Sequence, residues 1–246
     1  MIRNSIIHRL LIGGNRSMKA IIKRTPVLRD IAGQVYSKLV TSKKRMKPFP
    51  GSGEYWTLRY STGGNSGVGS YGKFAEFKAE VLNAFVATHD TNSIIEFGCG
   101  DGNQLRFVTF PNYLGFDISE TVVSRCRNLF AADKTKSFRL MCEYAGEKAD
   151  LVLSLDVIYH LVEDEVFEQY MRTLFGASDQ YVIIYSSNSD DNRGYEGTYV
   201  RHRNFSKWIQ ERLPHWRLTE YIPNRYPYRG DYRHGSFADF FVYQKV

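Results

Sequence analysis

Glu96, Gly98, Gly100 and Gly102 stand at alternate positions in the stretch Ile94-Ile95-Glu96-Phe97-Gly98-Cys99-Gly100-Asp101-Gly102-Asn103. An apolar run that feeds directly into spaced glycines brings backbone close to a ligand at the end of a buried strand. A second acid, Asp117, follows nineteen residues after Gly98 at the end of another apolar run, Tyr113 to Ile118. A carboxylate there can accept both hydroxyls of a ribose. A pyrophosphate turn needs G-x-G-x-x-G, and its last position here is Asn103. Glu96 would also repel a diphosphate. Together these residues favour an adenosine ligand with a cationic amino-acid tail, S-adenosylmethionine, over a dinucleotide. Structural roles compete at each position: Glu96 capping the loop amides, Asp117 capping the next helix, the glycines serving helix-to-sheet packing.

A second group of residues could act on a bound acceptor. Asp156 ends an apolar run, and His160 follows four residues later, with Tyr159 beside it. Histidine titrates near neutrality, so His160 suits the role of general base; capping the following helix is the competing role. Asp156 is open to three roles: orienting a catalytic group, contacting substrate, or ligating a metal with oxygens of Asn188, Asp190 and Asp191, although such acidic loops also arise from turn chemistry. The preferred assignment includes no metal. Arg201, His202, Arg225 and Tyr226 belong to segments that interleave cations and rings, Tyr199 to Phe205, Asn224 to Arg229 and Tyr232 to His234. With Tyr159 and Asn188 they are candidate acceptor contacts. An acidic glycan or single-stranded RNA would suit such a strip, and so would a solvated loop edge.

The elements that must hold these residues alternate from residue 93 onward. Strands are expected at Ser93 to Phe97, Tyr113 to Ile118, Phe138 to Cys142, Leu151 to Leu155 and Gln180 to Tyr185. Helices are expected from Asn103, over Glu120 to Phe130 and over Glu163 to Phe175. Continuous apolar strands alternating with helices imply a doubly wound α/β, Rossmann-like sheet, mostly parallel. After a helix at Phe205 to Leu213, strands at Arg217 to Ile222 and Ala238 to Gln244 have no helix between them, which implies an antiparallel hairpin at the sheet edge. Upstream, residues 51–92 hold the glycine-rich segment Gly63 to Gly72, whose backbone freedom and Tyr71 suit a lid over a ligand, then a helix over Lys73 to Ala87 with Phe74, Phe77, Val81 and Phe85 on one face. The core is expected over 93–246.

Residues 1–50 form a separate basic arm. They carry 12 of the 33 Lys and Arg with the single acid Asp30, a net charge of +11, whereas the remainder carries −4. Leu28, Ile31, Val35 and Leu39 mark an amphipathic helix in this arm, followed by the basic run Lys43 to Lys47. Packing on the domain, peripheral contact with an anionic membrane surface and service as an organelle presequence are all open. A core of net −4 makes nucleic acid an unfavoured partner. No apolar stretch approaches the ~20 residues of a membrane span. The three cysteines, Cys99, Cys126 and Cys142, lack disulfide or zinc spacing, consistent with a reducing, cytoplasmic setting.

The stretch from Glu96 to Gly102 resembles the first motif of class I S-adenosylmethionine-dependent methyltransferases. Tyr113 to Ser119 resembles their second motif, and Ala149 to Leu161 their fourth. The resemblance spans about residues 90 to 190. It implies that Gly98, Gly100 and Gly102 lie against the methionine part of the cofactor, that Asp117 with Ile118 holds the ribose, and that Glu143 and Tyr144 line the adenine. The flanking segments, with Tyr55-Trp56 before the core and Gly235 to Phe241 after it, resemble methyltransferases associated with bacterial surface-polysaccharide assembly. The expected activity is O-methylation of a sugar or other small polar acceptor. RNA methylation is a rival, disfavoured by the lack of an N-P-P-Y-type tetrad after the fourth strand, and a non-catalytic adenosyl-binding protein is another.

Overall fold

The computed structural model describes residues 49–246. The expected amphipathic helix and basic run of the arm fall outside the described residues.

The described chain begins with helix α1 (Ser52–Ser61), a 3-10 turn at Val68–Ser70 and helix α2 (Gly72–Thr88). Strands β1 (Ile94–Phe97), β2 (Tyr113–Asp117), β3 (Lys136–Leu140), β4 (Ala149–Leu155) and β5 (Ser178–Ser186) then alternate with helices α3 (Glu120–Leu129) and α4 (Asp164–Gly176). Helix α5 (Phe205–Arg212) precedes β6 (Trp216–Ile222) and β7 (Asp239–Lys245). The seven strands lie in the order β3-β2-β1-β4-β5-β7-β6. The expected mostly parallel sheet is present, and β7 runs antiparallel to both β5 and β6. The closing hairpin is therefore inserted, with β7 against β5 and β6 at the outer edge.

Side-chain alternation builds two cores from one sheet. Leu151, Leu153, Ile183, Tyr185 and Phe240 pack on one face with Phe77, Leu82 and Phe85 of α2. Val152, Val182, Ile184 and Phe241 pack on the other with Phe167, Met171 and Leu174 of α4. The apolar residues of α4 recur at three and four positions, and Asp164 and Glu165 sit in its first turn, where the helix dipole favours acids. Asn204 caps α5 by accepting the Lys207 N–H at 3.1 Å.

Some elements differ from the sequence expectation. Helix α1 was not among the expected elements: its fully buried residues are Ser52 and Tyr60 alone, so no apolar stripe announces it. After the glycine turn only a 3-10 turn forms, Gln104–Phe107, because the chain must reach Tyr113 at the start of β2 six residues later. The third strand is shifted toward its N-terminus, and Met141–Glu143 form a 3-10 turn in place of its expected end. Among the described residues, no helix is long and apolar enough to cross a membrane.

Candidate active site

Strand order reverses between β1 and β4, and a crevice is expected outside the carboxyl ends of strands at such a point. A cavity of about 730 Å³ lies there. Its wall includes Gly98 to Asp101 of the glycine turn, Glu96, Asp117, Asp156 and His160, with Trp56 and Tyr60 from α1; Gly102, expected against the cofactor, does not line it, and a Cβ there would meet Cys126 and Phe130 instead.

The turn is held by Phe116, whose carbonyl accepts the Gly98 and Cys99 N–H groups at 2.7 and 3.0 Å. Gly98 and Gly100 have φ of 86° and 60°, in the left-handed region that favours glycine. A Cβ on Gly98 would lie 2.5 Å from Val157 Cγ2, and one on Gly100 2.4 Å from Ser66 Oγ. Asp117 reaches across from β2: its Oδ2 accepts the Gly100 N–H at 3.1 Å and its Oδ1 the Ser119 N–H at 3.0 Å. Burial raises its pKa, opposed by these amide bonds. Glu96 is 3% exposed, and Tyr113 donates its hydroxyl to Oε2 at 2.6 Å. Burial pushes the Glu96 carboxyl up to about 7, against the lowering effect of that hydrogen bond.

The glycine-rich segment is latched onto this turn. Asp101 Oδ2 accepts both the Ser66 N–H (2.9 Å) and the Tyr71 hydroxyl (2.7 Å), while Asp101 N–H returns a bond to Ser66 Oγ (2.9 Å). Asn103, the residue that breaks the dinucleotide pattern, donates from Nδ2 to the Ser70 carbonyl at 2.7 Å. Burial and the Asp101 carboxylate push the Tyr71 hydroxyl up to about 12, so it remains a donor. Tyr71 thus acts through Asp101, while Ser66 and Ser70 supply the cavity wall.

Asp156 follows β4 with φ of 60°, an uncommon conformation outside glycine that Asp tolerates better than most residues. Both carboxylate oxygens are engaged: Lys78 Nζ donates to Oδ2 at 2.6 Å and the Tyr159 hydroxyl to Oδ1 at 2.7 Å. Lys78 is 1% exposed, so this pair joins α2 to the end of β4 inside the protein. His160 packs edge-on against Trp56, with centroids 4.7 Å apart, and stacks with Tyr199 at 5.4 Å. Its Nδ1 lies 2.9 Å from the Tyr199 carbonyl. A carbonyl can only accept, so Nδ1 carries the proton and Nε2 keeps its lone pair. Burial pulls the His160 pKa down to about 4, which keeps the ring neutral at pH 7.

A methyltransferase-domain family matches residues 71–237, more than half of the chain. The chain belongs to that family. Solved structures with the same fold include the N-methyltransferase NodS from Bradyrhizobium japonicum WM9 in complex with S-adenosylhomocysteine, at 10% identity and TM-score 0.62, covering 79% of this chain and 98% of that one. Magnesium protoporphyrin IX methyltransferase from Synechocystis PCC 6803, with bound S-adenosylhomocysteine, aligns at 16% identity and TM-score 0.54, covering 70% and 83%. The methyltransferase domain of a bacterial Hen1 aligns at 18% identity and TM-score 0.53, covering 69% and 97%. No curated protein sequence matches the chain.

The methyltransferase domain distributes the remaining candidate residues unevenly. Ile118 and Tyr144 line the cavity; Tyr144 is held by ring contacts to Phe97 and Phe116 and by its hydroxyl donating to the Glu147 carbonyl. Glu143 does not line it: its carboxylate turns back to accept the Leu140 N–H at 2.7 Å, and Met141 takes the wall position. Arg201 donates to the Val162 carbonyl and pairs with Asp164. Arg225 forms a two-pronged pair with Glu80, and Tyr226 packs on Phe74 and Phe77. This part of the basic aromatic strip is engaged in holding loops to the core. Asn188 and His202 line a different cavity, at the end of β5. The acidic loop's oxygens are engaged apart from Asp156: Asn188 Oδ1 accepts the Ser206 N–H, Asp190 the Asn204 N–H, and Asp191 pairs with Arg193. Sequence reasoning missed Lys78, Trp56 and Tyr60. A lysine at the same helical spacing as Phe74, Leu82 and Phe85 was a legible signal for the first.

Proposed function

We propose that this domain transfers a methyl group from S-adenosylmethionine to a hydroxyl of a small polar acceptor, a sugar by preference. The donor set fits that cofactor. Glu96, Asp101, Asp117 and Asp156 surround the cavity with Lys78 as the buried cation. An acid-rich lining suits a ligand bearing a sulfonium and an ammonium and opposes a diphosphate. The size of about 730 Å³ also lies within the range of small-molecule sites.

Gly98 and Gly100 would allow the backbone to approach the methionine portion, Asp117 with Ile118 would hold the ribose, and Tyr144 with Met141 would flank the base. Bound there, S-adenosylmethionine supplies an electrophilic methyl carbon. The protein's task is then to align the acceptor, exclude water and take its proton; alignment of this kind can be worth ~7 to 11 kcal/mol. Trp56, Tyr60 and Leu161 bring apolar surface to the wall around His160. The Tyr199 carbonyl fixes the His160 tautomer, leaving Nε2 to receive the acceptor's proton. The Nδ1 contact to the Tyr199 carbonyl, which leaves Nε2 as the ring's acceptor, is the observation that carries hydroxyl methylation. Asp156, held by Lys78 and Tyr159, positions the loop that bears His160. The resemblance of the flanking segments supports a surface-polysaccharide sugar as the acceptor.

The test is incubation with methyl-labelled S-adenosylmethionine and a panel of nucleotide sugars, lipid-linked glycans and RNA. Label is expected in a sugar hydroxyl. His160→Ala should lower kcat by about 10²- to 10⁴-fold with cofactor affinity nearly unchanged. Label in RNA alone, or undiminished turnover of His160→Ala, would refute this reading.

A further inference from the structure

A second cavity, of about 520 Å³, opens on the same edge of the sheet, where Ser187 and Asn188 leave β5 and Asp239 begins β7. Its wall is a series of rings in edge contact. Tyr195 meets His202 at 4.6 Å, His202 meets Phe237 at 4.7 Å, and Phe237 meets Tyr228 at 6.2 Å. Polar groups interrupt the rings: Asn188, the Asp239 carboxylate and the Ser187 hydroxyl, which lies 2.6 Å from His202 Nδ1. Tyr159 stands between the two cavities. Its ring lies 4.4 Å from His160 on one side and 4.9 Å from Phe237 on the other.

The charges decide the class of ligand. Among the described residues neither lysine nor arginine lines this cavity, and its two carboxylates are Asp191 and Asp239. Burial lowers the pKa of His202, which removes it as a cation at neutral pH. Phosphate and carboxylate ligands therefore find no lining cation: the nearby Arg193 is taken up by its pair with Asp191, and Asp239 would meet them with like charge. A neutral ring with apolar faces and an edge of hydroxyls meets both requirements, because its faces can lie on aromatic rings while its hydroxyls reach carboxylate, amide and imidazole acceptors.

We propose that this second cavity is a sugar-binding subsite, so that the acceptor is a neutral glycan longer than one residue, with one unit held here and the methylated unit at His160. The last clause rests on the proposed transfer to a sugar; the sugar-binding site itself does not.

The experiment is saturation-transfer NMR on the full chain with S-adenosylhomocysteine present in excess. The probes are glucose, mannose, galactose, N-acetylglucosamine, maltose and chitobiose, with AMP and inorganic phosphate as anionic probes. At least one sugar is expected to receive saturation. Its Kd should rise about fivefold in Tyr228→Ala and in Tyr195→Ala, two loop substitutions whose folding is checked by thermal melting. Three results would each overturn the proposal: silence from every sugar, saturation of AMP or phosphate instead, or a sugar signal that survives both tyrosine variants. Failure of labelled methyl to reach any sugar, with the NMR pattern intact, would remove the proposed activity and leave this binding site standing.

Discussion

Substituting Lys78 by Met should be among the most damaging single changes in this domain. The Lys78 ammonium is 1% exposed and sits 2.6 Å from Asp156 Oδ2, whose side chain is 13% exposed. Removing one partner of a buried pair leaves the other charged and unpaired, a loss of ~3 to 5 kcal/mol, against a total stability of ~5 to 15 kcal/mol. For a domain of this size each kcal/mol lowers Tm by about 2 to 4 °C, so a fall of roughly 6 to 20 °C is expected. Asp156→Asn should also destabilise, because it strands the lysine; Asn still tolerates the positive φ of 60°. Lys78→Met combined with Asp156→Asn removes both charges and keeps an acceptor for the Tyr159 hydroxyl. The double variant should therefore lose clearly less than the two singles together, with a coupling of about 1.5 to 3 kcal/mol by urea unfolding. Single losses below about 1 kcal/mol, adding without coupling, would refute the idea that this pair clamps α2 to the end of β4.

Three further outcomes follow from the site. Gly98→Ala would set a Cβ 2.5 Å from Val157 at a φ of 86°, so cofactor affinity by calorimetry should fall at least tenfold, and unchanged affinity would contradict the close-approach role of the turn. Asp101→Ala removes the acceptor of the Ser66 N–H and the Tyr71 hydroxyl, so amide exchange over residues 66–71 should quicken by about 10-fold or more while β4 is unaffected. The folded His160 has a pKa of about 4, below its ordinary value of 6.5, so as pH falls through that interval the unfolded chain takes up the proton first and stability declines. His160→Gln should flatten the dependence of urea stability on pH between 6.5 and 4, and an identical slope would contradict the lowered imidazole pKa.

The sheet and the glycine turn were legible because parallel strands covered on both faces are largely continuous apolar runs, as Ile94-Ile95 and Leu151 to Leu153 are. The glycines declared themselves through a spacing that only backbone geometry explains. Helix α1 was hidden because its aromatic residues face a cavity and a loop, leaving Leu58 56% exposed and no stripe to read. The engagement of Arg225 was invisible for a different reason: Glu80 lies 145 residues away, and nothing local marks a pair that the fold alone creates. Glu143 misled because a carboxylate at the end of a strand can turn toward a ligand or back to its own backbone, and here the free Leu140 N–H takes it.

The central claim is that the cavity beside Gly100 and Asp117 takes a sulfonium nucleoside. Isothermal titration of the full chain with S-adenosylmethionine, S-adenosylhomocysteine and NAD tests it most directly. Binding of the first two with micromolar affinity, weakened at least tenfold by Asp117→Ala, and no heat from NAD are the predicted results. Tight NAD binding with no response to either adenosyl compound would contradict the account.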